Sequence, residues 1–168
     1  MKRFGLAVSA ACVLALAVTG TASANGYQDD RDWVLGAIKR TSLDGTVDQT
    51  HVVGAWETRT GADGVYAASY RAPNGTKSSY SGRVTCVNVV GMNAYVGIKV
   101  TESNNRPDAV VGTGEIIRVS KFGNSMTGQK DSISPGVFSP TAPTVCPEPY
   151  GDPTPTYWGG VILHDGDL

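Results

Sequence analysis

Residues 79–102 read SYSGRVTCVNVVGMNAYVGIKVTE. The second half alternates: Ala94, Val96, Ile98 and Val100 fall on one parity, and Tyr95, Gly97, Lys99 and Thr101 on the other. Period-2 alternation with β-branched residues predicts a strand with one buried and one wet face, and that favours an antiparallel sheet. The first half is a second β run, Ser79–Val89. Gly91-Met92-Asn93 joins the two and supplies the residues a tight hairpin needs. Val84 and Cys86 read as one side of this first strand, Val87 and Val89 as the other.

Outward from this hairpin the pattern repeats. Further strands are expected at Trp33–Arg40, Thr50–Arg59, Gly64–Arg71, Val110–Ser120 and Tyr157–His164, with a weaker one near Asp131–Ser134. Turns are read at Asp44-Gly45, Asp63-Gly64 and Pro73-Asn74-Gly75. No stretch after Ala24 has capped helical periodicity. The expected fold is all-β, an antiparallel meander of about 7–8 strands forming a barrel or barrel-like sandwich.

The N-terminus carries a secretory pattern. Lys2 and Arg3 precede an apolar run over Phe4–Val18, and Ala22-Ser23-Ala24 offers the small-x-small cleavage site. Residues 1–24 are therefore expected to be a cleaved signal peptide, with a secreted mature chain starting at Asn25. Removing 24 of 168 residues leaves 144, enough for one domain with a real core. The opening 25–32 is acidic and read as a frayed end, and residues 33–168 are read as a single β domain. The mature chain has 12 Lys and Arg against 15 Asp and Glu, a net charge of −3. That balance argues against nucleic acid as a partner, and no membrane span is expected after cleavage.

Cys12 leaves with the signal, so Cys86 and Cys146 remain as a pair in an oxidising compartment, and one disulfide is expected. Cys146 lies in a segment, 139–155, with prolines at 140, 143, 147, 149, 153 and 155. Proline donates no ladder hydrogen bond, so this segment reads as irregular cover. If the inner face of the Ser79–Val89 strand carries Cys86, the bridge staples that cover to the sheet.

Gly82-Arg83-Val84-Thr85-Cys86-Val87-Asn88-Val89, then Gly91, Ala94, Val96-Gly97 and Val100, resembles a family of small secreted β-rich proteins from actinobacteria and other soil bacteria. Their shared run is G-x-V-T-C-(L/V)-x-V-x-G-x-x-A-x-V-G. The likeness continues through Gly112-Thr113-Gly114 and Asp131-Ser132-Ile133-Ser134 to the ending Val161-Ile162-Leu163-His164-Asp165. It implies an exported β domain with one disulfide and no assigned activity. Lys121-Phe122-Gly123 stands where that family tends to have an Asp-Asn-Gly turn, and Ile98 replaces the second glycine of its Gly-Gly pair. Gly54-Ala55-Trp56 resembles the G-x-W entry of lipocalin-like and avidin-like barrels, whose later motifs are absent.

Candidate chemistry is sparse. His164-Asp165 offers an imidazole–carboxylate pair, but no serine sits in a nucleophile-elbow motif. Asp29, Asp30 and Asp32 lack the spacing of a calcium loop. Glu57, Glu102 and Glu115 are the carboxylates open to glycosidase roles, and Glu115 reads as a wet-face strand residue. The glycines at 112, 114, 159 and 160 precede no helix and form no phosphate cradle. Trp56, Tyr157, Trp158, His164 and Asp165 are the binding candidates; no catalytic residue, metal ligand or cofactor is assigned.

Three functions follow from these readings. A non-catalytic exported domain, binding a partner or surface or serving a structural role outside the cell, is preferred. A small-ligand carrier requires a cavity beneath Trp56. A small secreted hydrolase requires His164 in a cleft with a carboxylate and a nucleophile.

Overall fold

The computed structural model describes residues 31–42, 44–122, 130–134, 136–147, 154–155 and 158–166. The expected signal peptide, the opening 25–30 and Tyr157 lie outside them. The described residues form one antiparallel sheet: β1 (Trp33–Thr41), β2 (Asp48–Thr58), β3 (Gly61–Arg71), β4 (Lys77–Val90), β5 (Asn93–Asn104), β6 (Gly114–Ser120), β7 (Ser132–Ile133), β8 (Val137–Ser139), β9 (Thr154–Pro155) and β10 (Trp158–His164). The spatial order is β10-β1-β2-β3-β4-β5-β6-β7-β9, with β8 also on β6. This is the expected all-β meander, curled into a half-barrel.

Gly75 and Gly91 close the β3–β4 and β4–β5 hairpins with φ of 81° and 56°, the left-handed backbone that glycine adopts without penalty. Asp63-Gly64 is not a turn. β2 and β3 are long enough to pair from Thr58↔Gly61 onward, so the turn falls at Arg59-Thr60. Val110–Thr113 is likewise loop, and β6 starts at Gly114. The strands at 137–139 and 154–155 lie within or beside the proline-rich stretch, where propensity hides them.

The concave face holds the core. Val34, Ile38, Val53, Ala55, Tyr66, Val84, Val87, Val89, Ala94, Val96, Ile98, Ile117, Val119 and Val161 are buried there together. Ala94, Val96, Ile98 and Val100 point inward, as their parity requires.

Cys86 does not share the inner face with Val84. Val84 pairs with Ile98 and Cys86 with Gly97, so Thr85 is one extra residue on β4. This β-bulge reverses the parity and turns Cys86 outward. Cys86 joins Cys146, with Cα atoms 5.7 Å apart, in a small cluster with Tyr95. The described part of the proline-rich segment, residues 139–147, thus covers the convex face of β4–β6. Gly97 is part of the arrangement, since any side chain there would overlap Cys86 Sγ and Pro143.

Side chains cross the gap between β10 and β7. Val161 N donates to Asp131 Oδ2 at 2.8 Å, and Arg40 Nη1 on β1 donates to the Ile133 carbonyl at 3.3 Å. At the far end Asp32 accepts from Val89 N (2.6 Å) and Gly166 N (3.0 Å), while its own carbonyl accepts from Glu57 N. Asp32 is therefore an anchored clasp instead of part of a frayed end.

Candidate functional site

The interior changes character along its axis. Near Trp33 and the β4–β5 turn it is aliphatic. Toward the loop residues 44–47, 105–113, 134 and 136 the inward positions become Arg40, Gln49, His51, Tyr66, Tyr70, Tyr80 and Glu115. Each sits on the inward parity of its strand: Arg40 follows Ile38 by two, His51 precedes Val53 by two, and Glu115 precedes Ile117 by two. Exposures of 4% for Arg40, 4% for His51 and 2% for Glu115 place three ionisable groups in the interior. Burying such groups is costly unless each is hydrogen-bonded.

These groups satisfy one another in a chain. Arg40 Nε donates to Gln49 Oε1 at 2.8 Å, which makes that oxygen the acceptor. His51 Nε2 lies 3.3 Å from the same oxygen and must be the protonated nitrogen. His51 Nδ1, 2.6 Å from the Tyr66 hydroxyl, then accepts its proton. The Tyr80 hydroxyl lies 3.5 Å from that of Tyr66 and 2.6 Å from Glu115 Oε2. Tyr80 has one proton for two acceptors. If Glu115 is ionised, Tyr80 donates to it. If Glu115 is protonated, its own O–H serves Tyr80, and the Tyr80 proton turns to Tyr66.

Burial pushes Glu115 up to about 7, against the opposing effects of the Tyr80 hydrogen bond and the Arg106 charge. Burial lowers His51 to about 3, helped by the Arg40 and Arg106 charges, so it is neutral. Tyr66 and Tyr80 are raised, again chiefly by burial, and remain phenols. Gly136 belongs to the site for a steric reason: a side chain there would overlap the Glu115 carboxylate.

A cleft of about 420 Å³ opens onto this cluster, lined by Arg40, Gln49, His51, Tyr70, Glu115 and Phe138, with Ser42, Asp44, Arg106 and Asp108 among its rim. The Arg106 guanidinium lies 4.1 Å over the Tyr70 ring, and its Nε is 2.8 Å from Asp108 Oδ1. A groove of similar size on the convex face, along Thr50, Val52, Ala67, Ser69, Ser81 and Glu102, has no buried charged residue in its lining.

The sequence candidates lie elsewhere. Trp56 stands on the convex face, 45% exposed and opposite Trp33, with Val34 and Ala55 packed on the inner side of the same ladder. It does not plug the barrel, and the cleft is at the other end and polar. His164 stacks on Trp33 with ring centroids 5.7 Å apart, and Asp165 Oδ2 accepts from Gly91 N at 2.8 Å. Both therefore help fasten the C-terminal strand. Trp158 contributes backbone to β10 opposite Lys39. Glu115 is buried, where a wet-face position was expected; its parity with Ile117 and Val119 was the signal. Among the described residues, no three His, Cys, Asp or Glu side chains converge as a metal site requires. The chain matches no family model, no curated protein and no solved structure.

Proposed function

We propose that this protein is an exported, non-catalytic binding domain that takes a small polar ligand into the mouth of its half-barrel. The carrying observation is the cleft floored by Arg40, His51 and Glu115. Its volume suits a small molecule, and its few fixed polar groups set among aromatic walls are what such pockets use for orientation. Export rests on the signal-like residues 1–24 and agrees with the Cys86–Cys146 bridge.

Binding fits the cleft better than hydrolysis. Ser42, on the rim, donates to Asp44 and accepts from Val47 N. His51 has both nitrogens engaged, by Gln49 and Tyr66, so it is not placed as a base for Ser42. The test is a panel of small polar compounds added to the mature, oxidised protein while backbone amides are followed by NMR. Saturable shifts at Gln49, His51, Tyr70 and Phe138 support the reading. A broad panel that leaves all four unmoved sinks it. Mass spectrometry of secreted protein checks export: a chain starting at Asn25 and two hydrogens light is expected.

A second reading has its own observation. Leu35, Ile162 and Val65 share one row of the convex face, flanked by Val52 and Trp56, and all five are exposed. An apolar row of this kind suits a protein partner or surface outside the cell.

A further inference from the structure

We infer that the cleft recognises an organic monoanion, a small carboxylate carrying a flat ring, with Arg40 as the carboxylate-binding residue. This deepens the proposed binding function and rests on it. Arg40 is a buried cation whose hydrogen-bond partners are both neutral, the Gln49 side-chain oxygen and the Ile133 carbonyl. Among the described residues no carboxylate stands within ion-pair distance of it. A guanidinium has five N–H donors in a planar fork, and these two contacts use one donor each. The remaining three have no hydrogen-bond partner among the described residues, and Arg40 lines the cleft. A buried charge compensated only by neutral acceptors is costly, and an entering carboxylate would supply the missing partner in the bidentate geometry guanidinium favours.

The other walls refine the ligand. Glu115 shares the cleft, and desolvation keeps it largely protonated below pH 7, so it sets no negative charge against an incoming anion. A dianion would place its second charge near the Asp44 and Asp108 carboxylates on the rim, which favours single charge. Phe138 and the planar Arg106 guanidinium, which lies over the Tyr70 ring, line the same cleft, and a flat ring suits stacking against them.

The experiment uses the mature oxidised protein at pH 6 with benzoate, benzamide and benzylamine as probes, followed by amide shifts and calorimetry. Benzoate is expected to bind at least tenfold more tightly than benzamide, with shifts at Gln49, His51 and Phe138, and benzylamine is expected not to bind. Arg40→Gln should reduce benzoate affinity at least tenfold while leaving benzamide unchanged. If that variant fails to fold, the comparison of the three probes on the unaltered protein decides alone. Benzamide or benzylamine binding in the cleft as tightly as benzoate overturns the anion assignment and leaves the binding function standing. Benzoate bound equally well by a folded Arg40→Gln variant overturns the role of Arg40. If none of the probes moves any cleft residue, the monoanion assignment falls, and the wider panel then decides the binding function separately.

Discussion

The Tyr80 hydroxyl and the Glu115 carboxylate meet at 2.6 Å inside the half-barrel, joining β4 to β6 across β5. That contact ends a line of side chains running through Tyr66, His51 and Gln49 to Arg40. It gives a mostly aliphatic interior one polar end, and the pH behaviour of the fold follows from it.

Glu115 stays protonated in the folded state up to about pH 7, whereas in the unfolded chain it ionises near 4.5. Its contribution to stability is full below pH 4.5 and is lost as pH rises to 7, by about 3 kcal/mol from the size of the shift. Urea unfolding of the wild type and Glu115→Gln at several pH values checks this. The difference in unfolding free energy should grow in favour of Glu115→Gln between pH 4.5 and 7 and be flat above. A pH-independent difference would contradict it.

His51 acts in the opposite direction. Its folded value is depressed to about 3 from 6.5, so stability is present above pH 6.5 and is lost as pH falls toward 3, about 5 kcal/mol in all. His51→Gln should weaken the fold at pH 7 by roughly 1–3 kcal/mol, because the Tyr66 hydroxyl loses a buried acceptor. The same variant should show a shallower acid limb than the wild type, measured by thermal unfolding from pH 7 to 4. An equally steep limb would mean that His51 titrates normally.

Opening the Cys86–Cys146 bridge acts on the outside of the barrel. The cysteines are 60 residues apart in sequence, and Cys86→Ser with Cys146→Ser should cost about 2–4 kcal/mol. The β4–β5 ladder does not depend on the bridge, so the sheet should survive with its circular dichroism intact. Limited proteolysis should then cut first within 139–147. Unchanged stability and unchanged cleavage would show that the cover holds without its tether.

The fold was legible because alternation carries a physical cause. Ala94–Val100 is apolar on one parity since one face of β5 meets the core. The side taken by Cys86 was not legible, because the bulge at Thr85 inverts the parity and leaves no mark in the residue types. The polar site was hidden for a related reason. Glu115 and His51 look like solvent-facing residues when judged by chemistry, and only their spacing from Ile117 and Val53 reveals that they point inward. What makes them tolerable there is a set of partners from four strands, and no local stretch of sequence shows that convergence. His164 and Asp165 are neighbours in sequence, yet their side chains serve separate contacts at the opposite end.

The most direct measurement is the carbon-13 shift of the Glu115 side-chain carboxyl, followed by NMR from pH 3 to 9 in the oxidised protein. A midpoint near 7 is expected, as burial beside Tyr80 demands. A midpoint close to 4.3, the value of a solvated glutamate, would mean that water reaches this carboxylate freely and that the interior holds no desolvated polar cluster.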